Sequence, residues 1–251
     1  MANRGDQGNG DIYSDDFQDS SLGSDFSSGT RSTWWTAIEP STSTVTIVGQ
    51  GTGDAVARFT VPDNIDYPWL DEGAIVCPTI YQSVTDGEDL DIRVLWKAAT
   101  WPDPTQGDFT SFNLFLHQSD IESNPIWLNV YGNTSNWTIE MYAGGAYVTE
   151  VGTEVVSSLG LRIVFDHEGS GAGSDDVTFY YDDDSTGWTQ IGSQQTGLTF
   201  VCDTVGFSCQ RGNTDAAYTL DADWFWEHNT GEITDEDVEG GGPTRRVMVI
   251  S

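Results

Sequence analysis

The chain has 251 residues, 40 acidic side chains against 9 basic ones, and a formal charge of −31. The basic set is eight Arg plus the single Lys97, whereas 28 of the acids are Asp. A polyanion has no electrostatic reason to approach nucleic-acid phosphates or an anionic membrane. No apolar run reaches the ~18 residues of a membrane span, so no membrane insertion is expected. An aromatic content of 12% excludes disorder throughout.

At roughly 1 M salt the Debye length falls to about 3 Å, and most self-repulsion of such a chain is screened. Many Asp with almost no Lys therefore leads us to expect a protein kept soluble in concentrated salt. Three cysteines, Cys77, Cys202 and Cys209, lack metal-type spacing and are too few for a disulfide framework. They read as small buried residues, a Cys202–Cys209 bridge being the alternative. The first residues, Met1 to Asp6, contain no apolar h-region, and the expectation is exposure by a route other than standard secretion.

Residues 1–13 are polar and Gly-rich and read as an arm. From 14 to 229 short runs of β-branched and aromatic residues alternate with Gly, Asn, Asp and Pro. In chain order the predicted strands are 33–38, 44–49, 55–61, 73–81, 90–99, 109–117, 125–131, 136–142, 147–156, 160–166, 176–182, 187–192, 198–202, 204–210 and 217–228. The best helical stretch, Val151–Leu159, is poor. In 90–99, Ile92, Val94, Trp96 and Ala98 share one face, and Asp91, Arg93, Leu95 and Lys97 the other. Phe112, Leu114 and Leu116 oppose Asn113, Phe115 and His117, and Ile126, Leu128 and Val130 oppose Trp127, Asn129 and Tyr131. A period of two with one apolar face marks half-buried antiparallel strands. About fifteen of them predict an all-β, two-sheet antiparallel β-sandwich of jelly-roll type. Residues 230–251 form an acidic and Gly-rich linker and a tail, Thr244 to Ser251. There Arg245, Arg246, Val247 and Val249 suggest either a last strand or an assembly contact by strand addition.

Residues 160–226 carry a family pattern. A strand Gly160–Asp166 precedes the tyrosine-rich strand Asp176–Asp182. The acidic turn Asp183-Asp184-Ser185-Thr186 leads to Gly187-Trp188, then come Val205-Gly206-Phe207 and the closing Asp221-Ala222-Asp223-Trp224-Phe225-Trp226. Together with Asp15-Asp16-Phe17 and Ser21-Leu22 near the start, this resembles the concanavalin A-like lectin/glucanase sandwich, in particular the C-terminal sandwich of β-xylosidases. The resemblance implies the fold. It says less about function, because folds host many functions.

Glucanases of that fold carry a closely spaced carboxylate string, one residue serving as nucleophile and another as acid. The nearest approach here is Asp221-Ala222-Asp223-Trp224-Phe225-Trp226-Glu227, where alternation puts Asp221, Asp223, Phe225 and Glu227 on one face. With 40 carboxylates such coincidences are common, and no catalytic residue is assigned. His117, His167 and His228 make no metal pair. Asp166, Glu168, Asp175 and Asp176 flank a Gly/Ser loop, and Asp182, Asp183 and Asp184 crowd the next turn. These hard ligands would suit Ca²⁺, but no EF-type loop is present, and no cofactor is expected.

Sugar sites combine aromatic rings that stack on pyranose faces with Asn, Asp and Arg that hydrogen-bond hydroxyls. Trp127, Asn129 and Tyr131 on one strand face, with Arg93 and His117 on similar mixed faces, form the candidate carbohydrate-binding set. The same residue types also make protein-interface hot spots. The expectation is a non-enzymatic, lectin-like structural or adhesion protein on the exterior of a large assembly. The most specific form of it is a virion component (turret, decoration or tail-fibre protein) of a virus of a halophilic host. Its partners would be further copies, other subunits and a host surface glycan. The alternative is a glycan-binding accessory module or a glycosidase acting on host polysaccharide.

Overall fold

Strict alternation leaves each strand one apolar face, which only a second sheet can cover. The computed structural model describes residues 15, 17, 20–27, 29, 31–40, 42–52, 54–62, 70–71, 74–75, 77–84, 89–98, 111–117, 125–133, 136–143, 146–153, 158–167, 173–183, 187–210 and 217–228. The two arms of the sequence reading, including Arg245, Arg246, Val247 and Val249, lie outside them.

Two short 3-10 turns, Ser20–Leu22 and Arg31–Thr33, precede the strands. The strands are β1 Thr36–Ile38, β2 Thr44–Val48, β3 Val56–Val61, β4 Leu70–Asp71, β5 Ala74–Ile75, β6 Thr79–Ser83, β7 Leu90–Lys97 and β8 Ser111–His117. Then follow β9 Ile126–Asn133, β10 Asn136–Ala143, β11 Ala146–Thr153, β12 Ser158–Asp166, β13 Asp175–Asp183, β14 Thr189–Leu198, β15 Thr204–Gln210 and β16 Tyr218–His228. They form a first sheet in the order β1-β6-β15-β8-β9-β10-β11 and a second in the order β14-β13-β12-β7-β16-β3-β2, with β4 and β5 as a small separate pair. Every neighbouring pair in both sheets is antiparallel.

The inner faces meet in one core. Leu90, Ile92, Val94 and Trp96 point inward from β7, as do Phe112, Leu114 and Leu116 from β8 and Ile126, Leu128 and Val130 from β9. A run of edge-on rings crosses between the sheets, from Trp35 through Phe207 and Trp96 to Phe112 and Trp137. Each fully buried aromatic of this kind contributes about 1.5–3 kcal/mol by leaving water. Asp15 and Phe17 tie the segment before the first strand to this core. Asp15 accepts hydrogen bonds from Arg31 Nε at 2.6 Å and from the Phe17 amide at 2.7 Å, while Arg31 Nη1 donates to the Gly23 carbonyl. Phe17 packs edge-on to Phe26 and Phe26 to Trp35. An ion pair buried this completely stands because its geometry is bidentate and its remaining donor is used.

The structure departs from the predicted strands in identifiable places. The run 73–81 splits into β5 and β6, because Pro78 has no amide to donate and Thr79 Oγ1 bonds back to the Cys77 carbonyl. Residues 198–202 are not a strand beyond Leu198. The Phe200 amide donates instead to Asp175 Oδ2 at 2.9 Å, and β14 runs from 189 through Leu198. The proposed helical stretch Val151–Leu159 is β-strand up to Thr153 and again from Ser158, because both pieces continue sheet ladders. Cys77, Cys202 and Cys209 are buried and none is in a disulfide, so there is no Cys202–Cys209 bridge. Burial pushes the Cys77 thiol up to about 11.

A candidate glycan-binding face on the first sheet

Register turns the outward residues of the first sheet into rows running across strands. One row is polar. Ser208 faces Asn113, Asn113 faces Asn129, Asn129 faces Glu140 and Glu140 faces Glu150, crossing β15, β8, β9, β10 and β11. The next row is aromatic. Tyr81 faces Gly206, Gly206 faces Phe115, Phe115 faces Trp127, Trp127 faces Tyr142 and Tyr142 faces Tyr147. Gly206 is required there: a Cβ would come within 2.7 Å of the Tyr81 side chain and 2.8 Å of the Phe115 ring. The outward side chains of β8 are buried, whereas those described on β9 to β11, the buried Thr138 apart, are half-buried or exposed. The reachable part of the face therefore spans β9, β10 and β11.

Within that part the side chains are mutually fixed. Trp127 stands edge-on to Tyr142 with ring centroids 5.4 Å apart, and Tyr142 edge-on to Tyr147 at 5.8 Å. Tyr131 donates its hydroxyl to Glu150 Oε2 at 3.2 Å. Glu140 accepts hydrogen bonds from Asn129 and Tyr142. Burial lifts the Glu140 carboxyl above the ordinary carboxylate range; its hydrogen bonds oppose that shift and Glu150 adds to it. Burial and the two carboxylates push the Tyr131 phenol up to about 12. Asn129 Oδ1 is buried with no donor, and the fully buried Asn113 accepts from Ser208 Oγ while its Nδ2 has no acceptor. Chemically the face offers ring planes beside a strip of hydrogen-bonding groups dominated by acceptors.

Four of the five candidate carbohydrate-binding residues lie on this face. Trp127, Asn129 and Tyr131 are on β9 and half-buried, and His117 is on β8 and buried. Arg93 is not with them. It sits on the outer face of the second sheet, paired to Asp91 at 2.9 Å, with its guanidinium 5.5 Å from the Trp188 ring. Burial lowers its pKa to about 10. The residues missed from sequence are Glu140, Tyr142, Tyr147 and Glu150. Their signal was present, since Thr138, Glu140 and Tyr142 alternate as cleanly as β9 does, but pairing them with Asn129 and Trp127 needed the β9–β10 register.

The second sheet carries the ion pairs. Asp91 holds Arg93 and also Arg162, the latter through bonds of 2.8 and 2.7 Å. Arg58 binds Asp221 through two bonds of 2.7 Å, and Lys97 binds Asp223 at 2.8 Å. Trp188, the Gly-Trp residue of the acidic hairpin, lies over Gly160, where a Cβ would come within 3.0 Å of its ring. The Asp221–Asp223 pair is thus engaged by cations. The alternation expected there also breaks, because a bulge between Ala222 and Trp224 shifts the register and sets Phe225 opposite the inward Val94. The loop carboxylates serve the backbone: Asp176 accepts from the Gly197 amide and Asp182 from the Gly187 amide. Among the described residues no three His, Cys, Asp or Glu converge as a metal site, and Glu168 and Asp184 lie outside them.

No family model matches the chain, and no curated protein matches its sequence. Solved structures do match in shape. The glycoside hydrolase family 43 protein BlXynB from Bacillus licheniformis superposes with a TM-score of 0.58 at 16% identity, over 85% of this chain and 38% of that one. GH43B of a Bacteroides ovatus xyloglucan locus gives 0.54 at 16% identity, over 86% and 39%. The fold is that of the concanavalin A-like sandwich. This chain therefore spans about two fifths of the length of those two proteins. The CBM2 module of the evolved Dit protein of Lactobacillus casei BL23 phage J-1 matches over 88% of this chain and 97% of that one, with a TM-score of 0.50 at 12% identity. The sandwich seen here thus has glycan-related neighbours, a phage protein among them.

Proposed function

We propose that this chain is a non-enzymatic, lectin-like glycan-recognition module displayed on the exterior of a large assembly. The observation that carries the proposal is the pair of adjoining rows on β9 to β11. A pyranose presents a C–H face and a rim of hydroxyls, which the aromatic row and the polar row match in turn. The phage CBM2 module, a neighbour named for carbohydrate binding, supports this reading and its assembly part alike. In its fullest form the protein is a turret, decoration or tail-fibre subunit of a virion in concentrated salt. It would contact further copies and other subunits through Arg245, Arg246, Val247 and Val249.

The recognition test is a glycan array read with Trp127→Ala and, because Trp127 is half-buried, with the exposed Tyr147→Ala as well. Each truncation is expected to weaken a hit substantially, on the order of 30-fold for a central anchor. Binding that survives both changes would remove the face from the proposal. For assembly, deleting residues 243–251 is expected to turn an oligomer at high salt into a monomer. A monomer with the tail intact overturns that part. A glycosidase is the second reading, favoured by the facing carboxylates Glu140 and Glu150. Directly paired strand residues have Cβ atoms about 5 Å apart, a placement from which two carboxyl groups can reach the short separation of a retaining pair. Sugar release that Glu150→Gln eliminates would put this reading first.

A further inference from the structure

The reachable face of β9 to β11 is rich in hydrogen-bond acceptors and contains no Lys or Arg. Each of the five Lys and Arg among the described residues is paired with an Asp elsewhere: Arg31 near the chain start, and Arg58, Arg93, Lys97 and Arg162 on the second sheet. Glu140 and Glu150 nonetheless face each other directly across β10 and β11, an arrangement that destabilises a sheet. Among the described residues their hydrogen-bond donors are neutral phenols and an amide. One step along the same row, Asn129 Oδ1 is buried and has no donor. The wholly buried Asn113 Nδ2 beyond it has no acceptor, so the row is left incomplete on two strands. What the reachable part of this row lacks is positive charge.

We propose that the ligand of this face is an amino sugar, whose ammonium group binds between Glu140 and Glu150 while its ring lies along Trp127, Tyr142 and Tyr147. The proposal rests on the glycan reading above and names the sugar class. An ammonium carries three donors and no acceptor, matching two carboxylates. It is also the cation that aromatic faces attract, and the edge-on Trp127, Tyr142 and Tyr147 rings place such faces in the adjoining row. A uronic acid or sulfated sugar would add a third anion to the same row. The face therefore selects basic glycans and rejects acidic ones.

The test compares short glucosamine oligomers, their N-acetylated counterparts and galacturonate oligomers by calorimetric titration into the full chain. It is run at about pH 6, below the range of a simple amine, and in roughly 1 M KCl to suppress bulk attraction to a polyanion. Glucosamine is expected to bind at least about tenfold tighter than N-acetylglucosamine, the scale of one charge-assisted hydrogen bond. Glu150→Gln, at an exposed position, should cut that preference to about twofold or less. Asp54→Asn, which removes an exposed carboxylate before β3, should leave the preference intact. Equal affinity for both sugars, or tight galacturonate binding, overturns the amino-sugar assignment and leaves the glycan reading standing if Trp127→Ala still weakens binding. A loss of preference in Asp54→Asn as large as in Glu150→Gln means bulk charge attraction and overturns the assignment too. Absence of binding to any saccharide removes the glycan reading itself.

Discussion

Asp91 on the outer face of the second sheet holds two arginines, whereas Glu140 on the outer face of the first sheet holds none. Both faces present carboxylates, Asp91 on the central strand of its sheet and Glu140 next to the edge of its own, but they treat the charge differently. On the second sheet every described cation meets an Asp, Trp188 lies over Gly160 beside Arg93, and Tyr180 stacks on Arg162 at 4.8 Å. That face is complete in itself. On the first sheet two glutamates face each other, and Asn113 and Asn129 each keep an unmet polar atom. The lesson is that in a chain with a charge of −31 a carboxylate tells little by its presence. What informs is whether the fold has given it a counter-charge.

The sharpest way to break this contrast is Asp91→Ala. It leaves Arg93 and Arg162, only 7% and 14% exposed, directly paired across β7 and β12 with no counter-ion. Breaking a buried pair in this way costs about 3–5 kcal/mol, and denaturant titration at fixed salt should show it. The folded fraction should keep its saccharide affinity. A loss near zero would mean that the ion-pair face is not structural, and the distinction between the faces would collapse.

A smaller effect of opposite sign is expected on the other face. Folding raises the Glu140 carboxyl above its ordinary value, so the folded chain takes up that proton more readily than the unfolded chain. The destabilisation from Glu140 therefore sets in as pH rises through the carboxylate range and is absent in acid. Glu140→Gln should stabilise the protein at neutral pH by about 0.2–1 kcal/mol, the size of a relieved like-charge cross-strand pair. The gain should vanish on acidification, and a pH series of melting curves reads it. Destabilisation at neutral pH would show that the carboxylate is anchored as firmly as Asp91. The smallest effect belongs to Lys97→Met. Lys97 is 44% exposed, although its partner Asp223 is only 12% exposed, and a pair whose cation faces water contributes about 0–1 kcal/mol, shrinking with added salt.

Much of this architecture was legible from residues alone. The faces assigned to β7, β8 and β9 are those observed, because a strand's side chains alternate whatever its neighbours. Asp15-Asp16-Phe17 and Gly187-Trp188 marked positions that do tie elements together. Sequence reasoning failed where a neighbour from elsewhere decides. Arg93 was grouped with Trp127 because both lie on mixed faces, and nothing local says that those faces belong to different sheets. Asp221 and Asp223 share a strand in the sequence, and nothing local says that Arg58, 163 residues away, and Lys97 bind them. Glu140 and Glu150 were passed over because each is ordinary by itself.

Composition and the period of two thus determined the class of fold, the inward residues and the polyanionic surface, since these follow from local geometry and from counting. Tertiary structure decided which outward residues became neighbours, through strand order, hairpin register and one bulge in β16. Cross-strand neighbours stand about 5 Å apart whatever their distance along the chain. It is that spacing that made an ion-pair face on one sheet and an aromatic and acidic one on the other.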